Sequence, residues 1–179
     1  MPTNAGITAT AVRVAPIRPF RMSFRCTRWS EIKKANNERT FVGHLFFNLI
    51  EEDETNYAGQ PFVPYDDLVH ESCQDGDCCR HPIEDLSVPS SAEMVAILDV
   101  IDESLEAGRP MYVHCWGVVG RTGTVVGYWL LRHRLATPED FIRVLEALRQ
   151  QDRKQRHRVS PETPRQQRFV RLWLSNDTR

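Results

Sequence analysis

Cys115 and Arg121, with five residues between them in His114-Cys115-Trp116-Gly117-Val118-Val119-Gly120-Arg121-Thr122-Gly123, are the pair best placed to do chemistry in this 179-residue chain. The run leaves a short apolar segment with strand character, Met111 to His114, and leads at once into a helical pattern. At such a junction the backbone curls so that the amides of Trp116, Gly117, Val118, Val119, Gly120 and Arg121 point at one centre, with the helix dipole aimed the same way. That centre suits a phosphate dianion. Cys115, between His114 and Arg121, sits where a thiolate is stabilised and is expected to be an ionised nucleophile at neutral pH. Arg121 can grip two phosphoryl oxygens with its planar fork, which lysine cannot do. Thr122 offers a hydroxyl towards the sulfur.

H-C-x5-R-[ST] resembles the signature of the cysteine-dependent protein tyrosine and dual-specificity phosphatases, and H-C-W-G-x-x-G-R-T-G-T resembles the form found in a bacterial branch. Upstream, Pro82-Ile83-Glu84-Asp85-Leu86-Ser87-Val88-Pro89-Ser90 resembles the general-acid loop of that family. The resemblance implies Asp85 as proton donor, with its neighbour Glu84 as the rival. A positioned acid of this kind contributes on the order of 10²–10⁴ in rate. Downstream, Ser160-Pro161-Glu162-Thr163, Gln166 and Phe169-Val170 resemble the S-P-E-T…Q…F-V stretch of the bacterial branch. There the resemblance implies that Gln166, or the competing Gln167, places the hydrolytic water.

The activity so implied is phosphomonoester hydrolysis through a cysteinyl-phosphate intermediate. Cys115 would attack phosphorus, Arg121 and the loop amides would hold the equatorial oxygens, Asp85 would protonate the departing oxygen, Thr122 would stabilise the sulfur as it leaves, and His114 would orient the loop. No metal or organic cofactor is required, and the expected partner is a phosphorylated protein or a small phosphomonoester. The family fold, implied for roughly residues 40 to 175, is a single-domain α/β arrangement with a central parallel-rich sheet flanked by helices on both faces.

Val118 conflicts with this picture. The third position after the cysteine is usually glycine, because the ring of amides needs a left-handed turn there. A β-branched residue at positive φ costs roughly 1–2 kcal/mol or more, and its side chain could push into the phosphate pocket. Three readings stay open: the turn shifts to Gly117 or Gly120, the substitution slows an otherwise competent enzyme, or the chain is a pseudophosphatase that binds phosphorylated ligands without turnover. Arsenate reduction shares the cysteine-arginine loop, but its resolving cysteines follow the loop in those relatives, whereas here every other cysteine precedes it.

The elements that must carry these residues alternate in character. Phe41-Val42 and Leu45 to Ile50 read as a buried strand, Thr55 to Asp77 as loop, and Arg80 to Ile83 as a short strand feeding the acid loop. Ser90-Ser91-Ala92-Glu93 is a capping box for a helix that Gly108 stops. Met111 to His114 is the central strand, and the next helix, Thr122 to about Arg134, has Gly123 and Gly127 for close packing on a sheet. Thr137-Pro138-Glu139-Asp140 opens another helix with Phe141, Val144, Leu145 and Leu148 as its buried stripe. A basic stretch, Arg149 to Arg158, reads as a solvated helix end, or as a cleft border if Arg156 or Arg158 faces the substrate. The final helix is expected to turn Phe169, Val170, Leu172 and Trp173 inward.

Residues 1–35 form a different unit, read as a basic, loosely attached N-terminal arm preceding a phosphatase-like domain at 36–179. The first thirty residues hold Arg13, Arg18, Arg21, Arg25 and Arg28 and no Asp or Glu. An organelle transit peptide would be similarly rich in arginine, although Pro16 and Pro19 spoil an amphipathic helix. A net charge of −1 argues against general nucleic-acid binding. No apolar run approaches the ~20 residues of a membrane helix. Five cysteines, an odd number, with a nucleophile that must stay reduced, point to the cytoplasm. Cys73, Cys78 and Cys79 with His70 and His81 do not have common zinc-ligand spacing, so no metal site is expected. These cysteines read first as surface-loop thiols between two strands, and Cys78 or Cys79 forming a reversible disulfide with oxidised Cys115, as in some relatives, is a second option.

Overall fold

The computed structural model describes residues 10–14, 16–17, 21–22, 25–28, 45–62, 64–72, 76–109, 111–150 and 155–173. Its strands are β1 (Thr10–Val14), β2 (Pro16–Ile17), β3 (Arg21–Met22), β4 (Arg25–Arg28), β5 (Leu45–Asn48), β6 (Asp77–Arg80) and β7 (Met111–His114). Its helices are α1 (Asp66–Ser72), α2 (Ser91–Glu106), α3 (Arg121–Arg132), α4 (Phe141–Leu148) and α5 (Pro164–Arg171). Five strands form one sheet in the order β4-β1-β7-β5-β6, and β2 pairs with β3 apart from it. β5 runs parallel to both β6 and β7, whereas β1 is antiparallel to β4 and β7.

The alternation of side chains along β5 and β7 explains why helices cover both faces. Leu45, Phe47, Met111 and Val113 enter the main core with α2, α3, α4 and α5. Phe46 and Tyr112 turn to the other face, where they stack with ring centroids 5.0 Å apart and meet Val69 of α1. A strand buried on both faces needs a continuous apolar run, which is what Leu45-Phe46-Phe47 provides. The α/β architecture is the expected one. Phe41 and Val42 lie outside the described residues.

Several elements differ from expectation. The segment read as a loosely attached arm contributes β1 and β4 to the sheet, with Val12 opposite Val113 and Cys26 opposite Val12. β7 is buried and has an edge that β5 does not cover, so its amides and carbonyls need a partner there. α1 lies within the segment read as loop. β6 begins at Asp77 rather than Arg80, in register with β5 from Leu45↔Asp77 to Asn48↔Arg80. Past its end, His81 N–H donates to the Asn48 carbonyl and Ile83 N–H to the Leu49 carbonyl, which carries the chain straight into the turn Glu84–Ser87.

Helix ends follow local chemistry. α2 starts on the capping box of Ser90 and Glu93, and Gly108 takes φ +71° just beyond its end. At α4 the Thr137 carbonyl accepts from Phe141 N–H while the Asp140 carboxylate reaches back to Thr137 N–H. The two glycines of α3 face loops and helices rather than the sheet. A β-carbon on Gly123 would stand 2.0 Å from Ser160 Oγ, and one on Gly127 would meet Val170 and Phe141. In α5, Val170 is buried, but Leu172 just past the helix is 61% exposed because it sits on the opposite side from Val170 and Trp173.

Candidate active site

Two elements fix the ends of the loop. β7 delivers Cys115, and α3 starts at Arg121 with Gly120 at its N-cap, so residues 115–120 span the carboxyl edge of the central strand. Open α/β sheets bind ligands at that edge. Cys115 is buried, and Thr122 Oγ1 donates to its Sγ at 3.2 Å.

Val118 occupies the left-handed region, φ +55°, at the position where a glycine was expected. Its side chain is 1% exposed and packs in the main core. Burying a valine contributes about 1.5–3 kcal/mol, enough to offset a left-handed strain of roughly 1–2 kcal/mol. The turn therefore has not moved to Gly117 or Gly120. Val118→Gly is expected to relax the backbone but leave a gap in the core, for a net loss of about 1 kcal/mol in urea unfolding. A gain in stability would show that strain outweighs packing.

Residues 158–166 support the outer side of the loop. Ser160 Oγ donates to the Val119 carbonyl at 2.7 Å. Arg158, paired with Glu162, lies beside Gly117, where a β-carbon would stand 3.8 Å from its Nη1. Arg149, read as part of a solvated helix end, is buried and donates to the carbonyls of Arg158 and Gln155. Arg156 is exposed, and Arg153 and Lys154 lie outside the described residues.

Arg121 is 1% exposed, and its two terminal nitrogens meet Glu54 Oε2 at 2.5 Å and Oε1 at 2.8 Å. Nη1 also donates to the Ile83 carbonyl at 3.1 Å, and Nη2 lies 3.1 Å from Asp85 Oδ1. Burial alone would lower the guanidinium pKa. The hydrogen bonds to Glu54, together with the charges of Cys115, Glu54 and Asp85, outweigh burial and raise it above its ordinary value. Sequence reasoning missed Glu54. The signal was there: a buried arginine needs a counter-charge, and an acidic run follows β5.

Asp85 sits on the turn Glu84–Ser87, closed by Ser87 N–H to the Glu84 carbonyl, with Leu86 at φ +60°. Of the rivals Glu84 and Asp85, it is Asp85 whose carboxylate meets Arg121. Gln166 is fully buried: its Oε1 accepts from Thr163 N–H, and its Nε2 donates to the Ser87 carbonyl at 3.0 Å. With no exposure, that amide touches no solvent in this state. Gln167 donates to the Pro161 carbonyl instead.

His114 Nε2 lies 2.5 Å from the Tyr65 hydroxyl. Burial, with smaller contributions from the charges of Cys78 and Asp66, pushes the phenol well above its ordinary range, so it stays protonated and donates to Nε2. Burial also pulls His114 down to about 4, and the charges of Arg80 and Arg121 add to that effect against a backbone contact at Cys115. The imidazole is therefore neutral at pH 7. Trp116 is flanked by Tyr57, edge-on with centroids 4.1 Å apart, and by Phe62 at 5.9 Å.

Cys78 and Cys79 lie on opposite faces of β6, and burial pushes the Cys79 thiol up, helped by the charge of Asp77. Cys73 lies outside the described residues. Among the described residues no group of three His, Cys, Asp or Glu side chains could hold a metal ion.

Residues 70–135, which include Asp85 and the whole loop, match the family model described as "Polymorphic toxin system, DSP-PTPase phosphatase". Two uncharacterised proteins of Methanocaldococcus jannaschii are 37% and 34% identical to the chain over 62 residues, 35% of this chain and 42% and 39% of theirs. The chain thus spans about two fifths of the length of those relatives. Among solved structures, Tk-PTP in its active form aligns with a TM-score of 0.57 at 22% identity, covering 87% of this chain and 91% of that one. Kinase associated phosphatase with its catalytic cysteine replaced by serine aligns at 0.63 and 17%, covering 94% of each chain. The chain therefore has the fold of the protein tyrosine phosphatases, and its segment 70–135 resembles the dual-specificity phosphatases.

Proposed function

We propose that this chain is a phosphomonoester hydrolase of the protein tyrosine or dual-specificity phosphatase kind, with the loop form of the bacterial branch. The observation that carries the reading is the convergence on one loop of Cys115, the Thr122 hydroxyl at 3.2 Å from its sulfur, and Asp85 at 3.1 Å from Arg121. The Cys115 thiolate forms an S–P bond as the ester P–O bond breaks, and Asp85 gives its proton to the departing oxygen. Water then attacks phosphorus, Asp85 takes a proton from it, and the S–P bond breaks with the thiolate stabilised by Thr122. Arg121 and the amides of 116–121 hold the equatorial oxygens. A neutral His114 tied to Tyr65 orients the loop and moves no proton. A phosphorylated protein or a small phosphomonoester is the substrate, and a thiolate nucleophile fits a reducing cytoplasm. No helix among the described residues is long and apolar enough to cross a membrane.

A pseudophosphatase is the second reading, because both terminal nitrogens of Arg121 are engaged by carboxylates. Vanadate-sensitive hydrolysis of p-nitrophenyl phosphate separates the two. The parent chain should turn over, and Cys115→Ser should be silent. Vanadate binding without turnover in the parent, even as Val118→Gly, would establish the binding module instead.

A further inference from the structure

We infer that Gln166 and Thr163, at the N-terminus of α5, form a latch that holds the Asp85 turn closed over Arg121, which makes Gln166 a positioning residue for the proton donor. The inference rests on the reading of Asp85 as the general acid. The turn Glu84–Ser87 cannot hold itself in place: Leu86 is at φ +60° and 52% exposed, so little packing of its own offsets the strain. Its fastenings come from outside. Thr163 Oγ1 donates to the Leu86 carbonyl at 3.4 Å, and Gln166 Nε2 donates to the Ser87 carbonyl at 3.0 Å.

The orientation of the Gln166 amide is forced. Thr163 and Gln166 form the capping box of α5, in which Gln166 Oε1 must accept from Thr163 N–H. Once the oxygen is committed to the cap, the nitrogen is the end left to face Ser87. The same amide lies against the phosphate loop, since a β-carbon on Gly120 would stand 3.1 Å from both its nitrogen and its oxygen. One buried side chain thus spans the phosphate loop and the acid loop, and sets the distance between nucleophile and proton donor. Glutamine suits this role because it accepts at one end and donates at the other.

Gln166→Glu tests this, because a carboxylate keeps the cap acceptor and loses the donor to Ser87. Gln166→Met and Thr163→Val provide uncharged companions should the glutamate variant fail to fold. The readout is leaving-group dependence. A misplaced acid should lower kcat/KM for phenyl phosphate about 10–100-fold, part of the 10²–10⁴ a general acid contributes. With 2,4-dinitrophenyl phosphate, whose leaving group needs no proton, the loss should stay under about 3-fold, and vanadate affinity should hold. Equal losses on both esters, or weakened vanadate binding, would overturn the latch in favour of support of the phosphate loop alone. Amide exchange over residues 84–88 gives a second readout that does not need turnover: it should rise about tenfold in the variants while α3 is unchanged. Unchanged exchange there would also overturn the latch. An inactive parent whose exchange still rises in the variants would sink the phosphatase reading and leave only a structural fastening.

Discussion

Replacing Arg121 with alanine is expected to remove about 3–5 kcal/mol of folding stability and to lower kcat/KM by at least ~10²–10³-fold. The stability loss comes from what remains. Glu54, 11% exposed, would be left without its cation, next to a turn that carries Asp85. The Ile83 carbonyl would lose its donor as well. Adding Glu54→Gln to Arg121→Ala should therefore recover part of the stability, with a coupling between the two sites in the range ~0.5–3 kcal/mol. It should recover none of the rate, because the fork that grips the equatorial oxygens is still missing. Arg121→Lys should be similarly slow, since a single ammonium cannot satisfy two Glu54 oxygens and two phosphoryl oxygens in one plane. Urea unfolding and steady-state kinetics on these chains, with Glu54→Gln alone added to close the double-mutant cycle, measure this. A single-variant loss below 1 kcal/mol, or a lysine variant near parental rate, would contradict the account.

The second large effect is acid lability. The folded chain holds His114 neutral down to about pH 4, against an ordinary value of 6.5. Between those values the unfolded chain binds a proton that the folded chain does not. Stability is therefore fully present above about pH 6.5 and is lost as the pH falls towards 4, by ~3 kcal/mol at about 1.4 kcal/mol per unit. Other groups titrate over the same range, so the useful quantity is the difference between the parent and His114→Asn. That variant removes the titration and keeps an amide that can accept from the Tyr65 hydroxyl. Unfolding in urea at pH 7, 5.5 and 4.5 should show a shallower decline in the variant. Parallel declines would mean that His114 is not the group that takes up the proton.

The strand–loop–helix turn that joins Cys115 to Arg121 and the alternating layers were legible in the sequence because each rests on local pattern. Five residues between Cys115 and Arg121, a strand before and a helix after, are contiguous information, and the same is true of the Ser90–Glu93 capping box. Groups whose role depends on a distant contact were not legible. Glu54 is one acid in an acidic run until Arg121 comes against it in the fold. For Gln166 the resemblance implied water placement, and only the fold brings the Ser87 carbonyl against its amide. Gly123 and Gly127 signal close approach, but only the fold shows that Ser160 and Val170 are what approach. Val118 was legible by half: the left-handed turn follows from the loop, whereas the destination of its side chain depends on where the core lies. α1 is seven residues long and follows Pro61 and Pro64, too short for its periodicity to emerge.

The place of β7 in the sheet also has a bearing on synthesis. β1 and β4 leave the ribosome early and can pair with each other, but the other edge of β1 belongs to a strand at Met111–His114 that emerges far later. Until then that hairpin carries an open row of amides and carbonyls, the kind of edge that recruits a second nascent chain. Its arginines, Arg13, Arg25 and Arg28, in a stretch with no acid among the first thirty residues, give neighbouring copies a reason to stay apart. Composition that resembles a targeting signal or a loosely attached arm thus also serves as a guard on an unfinished sheet.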